Sequence, residues 1–129
     1  MTQAGLVTNL DDEAAPANFL IAKHDGLNAS LLKCVAGTYT ILIAAAAAYG
    51  AGRVLRLHTY RNGANLMARL YYNDVMIGVE QTIADAGIID NQIHGMLSTY
   101  EGNRLDNFQL FARGEEGEYN IFLNKAVKG

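Results

Sequence analysis

The residues of this chain that could carry out chemistry are few and lie far apart. His24, His58 and His94 are the histidines, and none has a carboxylate or a second histidine at a spacing typical of metal ligands. Asp85 and Asp90 flank a short segment and could gather a cation there, but that segment lacks the alternating oxygen ligands of a calcium-binding loop. The pattern favours structural histidines and predicts no metal site.

The sequence also contains no clear motif for a catalytic nucleophile or for a phosphate-binding loop. Cys34 lies among apolar residues in SLLKCVAG, which is typical of a buried small side chain rather than a reactive thiolate. Ser30 and Ser98 lack a nucleophile elbow. The segment GAG at 50–52 lacks both the third glycine of a dinucleotide loop and the Gly-Lys-Ser/Thr of a P-loop. The sequence therefore predicts a non-enzymatic protein without a cofactor, and a small hydrolase or isomerase is the weakest of three alternatives.

Composition places the chain among ordinary globular proteins. Its 129 residues are 50% hydrophobic and 18% charged, enough for one domain with a core. The formal charge of −3 and the scattered Lys and Arg residues argue against a nucleic-acid surface. No apolar run is long enough to span a membrane, and the N-terminus has no basic flank before an apolar core, so we expect neither a membrane anchor nor a secretory signal.

Short apolar runs closed by turn residues follow one another along the chain. Asn62-Gly63 is a strong hairpin signal, which predicts that strands at 54–60 and 65–72 pair. Alternation at 106–112 and 119–123 also indicates strands, whereas 81–93 could hold one helical turn. The sequence predicts an all-β fold, a jelly-roll-like antiparallel β-sandwich over residues 17–129, with residues 1–16 as an extended N-terminal arm.

The alanine run in TILIAAAAAYGAGR can be read as helix or strand. Alanine favours helix, but a helix here would be apolar all round and the residues from Tyr39 to Ile43 favour strand. We expect a strand that continues into the alanines and is buried on both faces. Its methyl-only face would allow a second subunit to approach closely. The residues assigned to a subunit interface are Ala44, Ala46, Ala48, Tyr71 and Phe122.

Tyr71 is assigned to the subunit interface because it is next to Tyr72 on a predicted strand, and adjacent residues of a strand face opposite sides. One of Tyr71 and Tyr72 should therefore lie in the core and the other outside, where it could anchor an interface or stack on a sugar.

Two stretches resemble the trimeric jelly rolls of the C1q and tumour-necrosis-factor class. The first is LKCVAGTYTILIAAAAA at 32–48, where an apolar strand is followed by Gly37, one further residue and an aromatic-rich strand that begins at Tyr39. The second, GMLSTYEGNRLDNFQLFARGEEGEYNIFL at 95–123, is similar to the paired closing strands of that class. The chain lacks a collagen stalk and is richer in alanine, which makes a secreted ligand a poor fit. Phage capsid decoration proteins and fibre or spike heads are similar compact jelly rolls.

The resemblance implies a homotrimeric virion protein, made in the host cytoplasm and placed on the capsid exterior. It would stabilise the shell by binding the assembled major capsid protein. The residues assigned to capsid contact are Leu6, Val7, Leu10, Asp11 and Asp12. The alternative is a fibre or spike head that binds a carbohydrate or receptor. Deleting the arm would separate the two, because only the decoration protein needs it for attachment.

Overall fold

The computed structural model describes residues 4–98, 104–112 and 119–126, and the side chains of residues 4–96. This part of the chain contains ten strands and one short helix. They are β1 (Ala4–Leu10), β2 (Phe19–His24), β3 (Asn28–Val35), β4 (Thr38–Ala46), β5 (Val54–Asn62), β6 (Asn65–Tyr72), β7 (Val75–Ile83), α1 (Ala86–Ile89), β8 (Ile93–Ser98), β9 (Arg104–Ala112) and β10 (Tyr119–Ala126).

The strands form two antiparallel five-stranded sheets. The first sheet has the order β4-β3-β2-β1-β8, and the second has the order β7-β6-β5-β10-β9. Strands β1 to β4 follow one another as neighbours, as do β5 to β7, while β8 returns beside β1 and β10 beside β5. The predicted all-β antiparallel sandwich is confirmed. The strand order, which the sequence left open, keeps most consecutive strands within one sheet.

Strand alternation builds the core between the sheets. Leu6, Leu20 and Leu31 of the first sheet pack in one cluster with Leu57 and Leu70 of the second, and all five are fully buried. Burying a leucine contributes about 1.5–3 kcal/mol. The alternation predicted at the tyrosine pair is also confirmed, because Tyr72 is buried in this core whereas Tyr71 is only half-buried.

The N-terminal segment is not a separate arm. Strand β1 lies between β2 and β8, with Leu6 opposite Ala22 and Val7 opposite Ile21. The prediction of an extended N-terminal arm over residues 1–16, outside the sandwich, is therefore wrong for residues 4–10, because this apolar segment occupies an inner position of a sheet. Leu6 is fully buried and cannot contact a capsid. The acidic cluster and proline that suggested an arm form the connection to β2 instead.

The alanine run forms a strand, as predicted, but not a strand buried on both faces. Strand β4 is an edge strand, and of its residues Ile43 reaches the core. Ala44 and Ala46 are exposed, as is Ala48 beyond the strand. The expectation of two-sided burial fails because one face of β4 meets the core at Ile43, whereas no layer of the described chain covers the opposite face, on which Ala44 and Ala46 lie.

The predicted hairpin and helical turn are both present. Strands β5 and β6 pair from Asn62 opposite Asn65, so Gly63 and Ala64 form the loop. The one-turn helix α1 follows β7. In the described residues no helix is long or apolar enough to cross a membrane.

The edge strands β4 and β7 of the two sheets approach each other at Gly78. The pairing register of β6 with β7 shifts between Ala68 and Leu70. Gly78 lies in the segment of β7 that faces this shift. Gly78 has φ +69°, and a Cβ there would lie 2.9 Å from Cγ2 of Ile43. Glycine is needed at this position both for its backbone conformation and for the close approach of β7 to β4.

Candidate functional site

An apolar groove crosses the outer face of the first sheet. It has a volume of about 720 Å³, within the range of small-ligand pockets. Of its thirteen lining residues, ten are apolar or aromatic and three, Glu13, Lys23 and His94, are ionisable. We call this surface the groove.

The floor of the groove follows directly from strand alternation. In β2, Leu20, Ala22 and His24 point into the core, so Phe19, Ile21 and Lys23 face the other way. The pairing of Ile21 with Val7 and Leu32 extends this outer row across three strands. Antiparallel sheets commonly present one apolar and one polar face. The first sheet instead carries apolar side chains on both faces.

Tyr39 and Phe19 form one wall of the groove. Their rings meet edge to face with centroids 6.0 Å apart. Phe19 is buried by this contact although it lies on the outer face, while Tyr39 stays exposed at the rim. Aromatic pairs in this geometry stabilise by about 0.5–1.5 kcal/mol beyond the burial of their area.

A partly buried polar contact holds the opposite wall, which β8 forms. The Thr8 hydroxyl lies 2.5 Å from Nδ1 of His94, and the Asn9 backbone N–H donates to the same nitrogen at 3.3 Å. An acceptor role for Nδ1 places the proton of the neutral ring on Nε2. Burial lowers the pKa of His94, which favours this neutral form.

Asn9 joins the groove to α1 through a bulge in β1. Its backbone has φ 54°, a conformation that asparagine adopts more readily than most residues. Its side-chain amide donates to the carbonyl oxygens of Ile88, Ile89 and Asn91. Asn91 returns a bond from Nδ2 to the carbonyl oxygen of Asn9 at 2.9 Å. These bonds set the direction of the chain at Leu10, which lines the end of the groove.

The connection from β1 to β2 forms the rim beside Leu10. The Asp11 carboxylate accepts bonds from the backbone N–H groups of Ala17 and Asn18 at 3.0 and 3.1 Å, and from Nδ2 of Asn18 at 2.9 Å. These bonds lower the pKa of Asp11 to about 2, with the Ala17 bond as the largest cause. The clamped loop places Pro16 and Glu13 at the groove.

The groove borders an open sheet edge. Strand β8 has β1 on one side and no described strand on the other. Gly95 of β8 lines the groove, and a Cβ added there would meet no atom within 4 Å. An extended segment could therefore pair with the β8 backbone and place side chains in the groove, as in β-strand addition.

The residues that the sequence assigned to capsid contact have three different positions. Val7 and Leu10 line the groove, and Leu6 lies in the core. Asp11 and Asp12 are exposed, and their carboxylates shape the loop, with Asp12 accepting from the N–H of Ala14 at 2.8 Å.

The residues assigned to a subunit interface do not form one surface. Ala44 and Ala46 lie on the exposed edge strand β4, with Ala48 beyond it. Tyr71 lies on the second sheet, where the Arg56 guanidinium covers its ring at 3.8 Å. The Phe122 side chain lies outside the described residues, although its backbone pairs with Arg56.

The carboxylates suggested as cation ligands are held by ion pairs. Asp85 bonds to Nζ of Lys33 at 2.7 Å, and Asp90 bonds to Arg61 at 2.5 Å, at opposite ends of α1. Cys34 is buried, as its apolar neighbours predicted. Among the described residues no group of three or more His, Cys, Asp or Glu side chains could hold a metal ion.

The outer face of the second sheet carries polar side chains that form hydrogen bonds with one another. Tyr60 donates from its hydroxyl to Oε2 of Glu80 at 2.6 Å, and Nε of Arg69 donates to the same oxygen at 2.6 Å. The hydrogen bond from Tyr60 and then that from Arg69 lower the pKa of Glu80. The ring of His58 stacks beside that of Tyr60 at 5.5 Å. These aromatic and charged groups are already engaged with one another.

The sequence analysis missed Asn9 and Gly95, which determine the shape of the groove through their backbone conformation or small size. Asn9 gave a weak signal, since asparagine within a strand favours a turn or bulge. Gly95 gave a clearer one, because glycine inside a strand often marks close approach of another backbone.

Comparison of the chain with protein-family models, curated proteins and solved structures gives no match. The resemblance to trimeric jelly rolls stays a prediction.

Proposed function

We propose that this protein is a non-enzymatic virion protein, a capsid decoration protein whose groove binds an apolar, extended segment of the major capsid protein. The observation that carries the docking part of the proposal is the apolar outer face of the first sheet, with its groove of about 720 Å³. The resemblance to compact phage jelly rolls supports the choice of capsid. The proposed assembly is a homotrimer on the capsid exterior.

The groove replaces the arm as the proposed capsid contact. Val7 and Leu10 keep the role that the sequence assigned to them, since both line the groove. An extended capsid segment would add main-chain hydrogen bonds at β8 and apolar contacts at the floor. Glu13 and Lys23 lie at the groove as an acidic and a basic group, so a bound segment can be oriented by its own charges.

A fibre or spike head that binds a carbohydrate is the alternative function, and the second sheet offers the aromatic residues it would need. The Tyr71 ring is covered by Arg56, and the Tyr60 hydroxyl is bonded to Glu80. A sugar would have to displace these contacts before stacking. The open apolar groove therefore supports protein docking better than carbohydrate binding.

Photo-crosslinking in virus-producing cells tests the proposal. A photoreactive amino acid at Gly95 lies in the groove, whereas the same group at Ala64 lies in the exposed β5–β6 loop and serves as the control. Particles are purified by density gradient, and crosslinked products are identified by mass spectrometry. We expect the chain to co-purify with particles and to crosslink to the shell protein from Gly95 and not from Ala64. A chain that separates from the particles would refute the proposal.

A further inference from the structure

Gly95 leaves a gap in the wall of the groove that β8 forms. It lies opposite Val7 of β1, and this row of the outer face continues through Ile21 of β2 to Leu32 of β3. All four residues line the groove. A Cβ built on Gly95 would have no atom within 4 Å, so the apolar row ends in open space at β8.

Strand β8 also presents backbone groups that a bound segment can use. Alternate residues of an antiparallel strand direct their N–H and C=O groups to opposite sides. The groups of β8 that point away from β1 face no strand of the described chain. Ile93 and Met96 are 38% and 49% exposed, so the described side chains leave this strand accessible. An extended segment therefore has room to pair with β8 beside Gly95.

We infer that the segment bound in the groove places an aromatic side chain over Gly95, and that this glycine sets the sequence preference of the site. This preference rests on the proposed function, which takes an extended protein segment as the occupant. The residue paired with Gly95 carries its side chain on the groove face, with its Cα two strand spacings, about 10 Å, from that of Val7. An aromatic ring can cover the glycine and contact Val7, whereas an alanine side chain is too short.

The groove is acidic at the end where β8 begins. Leu10 of β1 pairs with Ile93, the first residue of β8, and the loop after Leu10 carries Asp11, Asp12 and Glu13. These three acidic residues are exposed, and Glu13 lines the groove. A basic residue of the bound segment is therefore favoured at this end.

A cation lies toward the other end of the groove. Lys23 pairs with Gly5, and Gly5 pairs with Leu97 of β8, so Lys23 lies level with Leu97. The levels of Ile93 and Leu97 are about 13 Å apart along the strand. This separation exceeds the screening length of about 8 Å at physiological ionic strength, so Glu13 and Lys23 act as separate charges.

The two charges give the segment a direction. Antiparallel pairing with β8, the more stable kind, places residues that follow the aromatic residue at the acidic end. The residue two positions later lies on the same face as the aromatic side chain. The preferred segment therefore reads, from its N-terminus, as an aromatic residue, any residue, and then lysine or arginine.

NMR titration of the isotope-labelled wild-type chain with synthetic peptides tests the inference. Three blocked peptides of equal length share an alternating threonine–valine background. The first carries phenylalanine and, two positions later, lysine; the second carries the same two residues in reversed order; the third has alanine in place of phenylalanine. We expect shifts of β8 amides, with the first peptide binding about tenfold more tightly than the third. We also expect it to bind about threefold more tightly than the second.

Variants of the chain provide the matched controls. Gly95→Val fills the space over the glycine, so the advantage of phenylalanine over alanine should fall below about twofold. Glu13→Lys should remove the preference for peptide order and leave the aromatic preference unchanged. Equal affinities of the first and third peptides for the wild-type chain, or no shift at β8 with any peptide, would overturn the inference. A folded Gly95→Val variant with the full aromatic preference, or a wild-type preference for the reversed order, would do the same.

The particle experiments separate this preference from the proposed function. Crosslinking from Gly95 to the shell protein tests docking, whereas the peptides test which side chain the groove accepts. A chain that crosslinks to the shell protein but shows no aromatic preference refutes the inference and leaves the proposed function in place. A chain that separates from particles but prefers the first peptide refutes the capsid as partner and leaves the preference of the groove in place.

Discussion

The imidazole of His24 stacks on the ring of Tyr72 with centroids 4.5 Å apart and planes 29° apart. His24 belongs to β2 of the first sheet and Tyr72 to β6 of the second, so the pair joins the sheets across the core. Gly26 donates its N–H to Nδ1 of His24 at 2.9 Å, and Nε2 lies 2.6 Å from the carbonyl oxygen of Ala47. Both ring nitrogens are thus used by the neutral ring that carries its proton on Nε2.

Replacing His24 separates its packing from its hydrogen bonds. His24→Phe keeps a ring against Tyr72 but leaves the Gly26 N–H and Ala47 carbonyl without this partner. We expect the free energy of unfolding to fall by about 1–3 kcal/mol. His24→Ala also opens a cavity and should cost about 3 kcal/mol or more. Urea unfolding measures both, and equal stability of the two variants would contradict this division.

His94 should make stability depend on pH near neutrality. Burial lowers its pKa below 6.5 in the folded chain, so the unfolded chain binds a proton at higher pH. The stabilisation is complete above pH 6.5 and is lost as pH falls through the folded-state pKa. We expect urea unfolding to show a loss of stability from pH 7.5 to 5.5 that His94→Asn reduces, since asparagine does not titrate. An unchanged slope in that variant would contradict the assignment, and His58→Asn serves as the control.

The sequence was most informative where the signal was local. The pair Tyr71 and Tyr72 was divided correctly by strand alternation, and Asn62-Gly63 marked the hairpin at the correct place. The position of β1 could not be found in this way. Its partner β8 lies more than eighty residues away, as the contact between Thr8 and His94 shows, and no local pattern specifies such a pairing.

Asp11 should control the order of the loop at the groove rim. Its pKa of about 2 comes from bonds made by the ionised carboxylate, so these bonds are complete above pH 3.8 and weaken as pH falls toward 2. Asp11→Asn should speed amide exchange at Ala17 and Asn18 at neutral pH, as measured by NMR. Asp12→Asn is the control, because the Asp12 carboxylate accepts from the amides of Ala14 and Ala15 instead. Unchanged exchange at Ala17 would argue against the clamp.

Gly78 should be intolerant of a side chain. A Cβ there meets Cγ2 of Ile43 at 2.9 Å and must also adopt φ +69°. We expect Gly78→Ala to lower the free energy of unfolding by about 1–3 kcal/mol. Gly63→Ala is matched to it, because Gly63 has φ +63° but open space around its Cβ. Equal losses in the two variants would mean that contact with Ile43 contributes nothing.

The groove shows why residue type can be predicted better than residue position. Val7 and Leu10 were selected as apolar contact residues on an arm, and they line a groove on a sheet. The groove needs β1, β2, β3 and β8 together, and its shape depends on the positive φ of Asn9 and the missing side chain of Gly95. Such a surface exists only after long-range pairing, which spacing along the chain does not reveal.

Rebinding to stripped particles tests the central claim most directly. Gly95→Trp fills the groove from a position with open space, whereas Ala64→Trp adds the same ring at a distant loop. Both variants are first checked for wild-type thermal unfolding. Copies bound per particle are then counted after sedimentation. We predict that the wild-type chain and Ala64→Trp rebind and that Gly95→Trp loses at least tenfold in affinity, whereas rebinding of Gly95→Trp at the wild-type level would contradict the groove as the docking site.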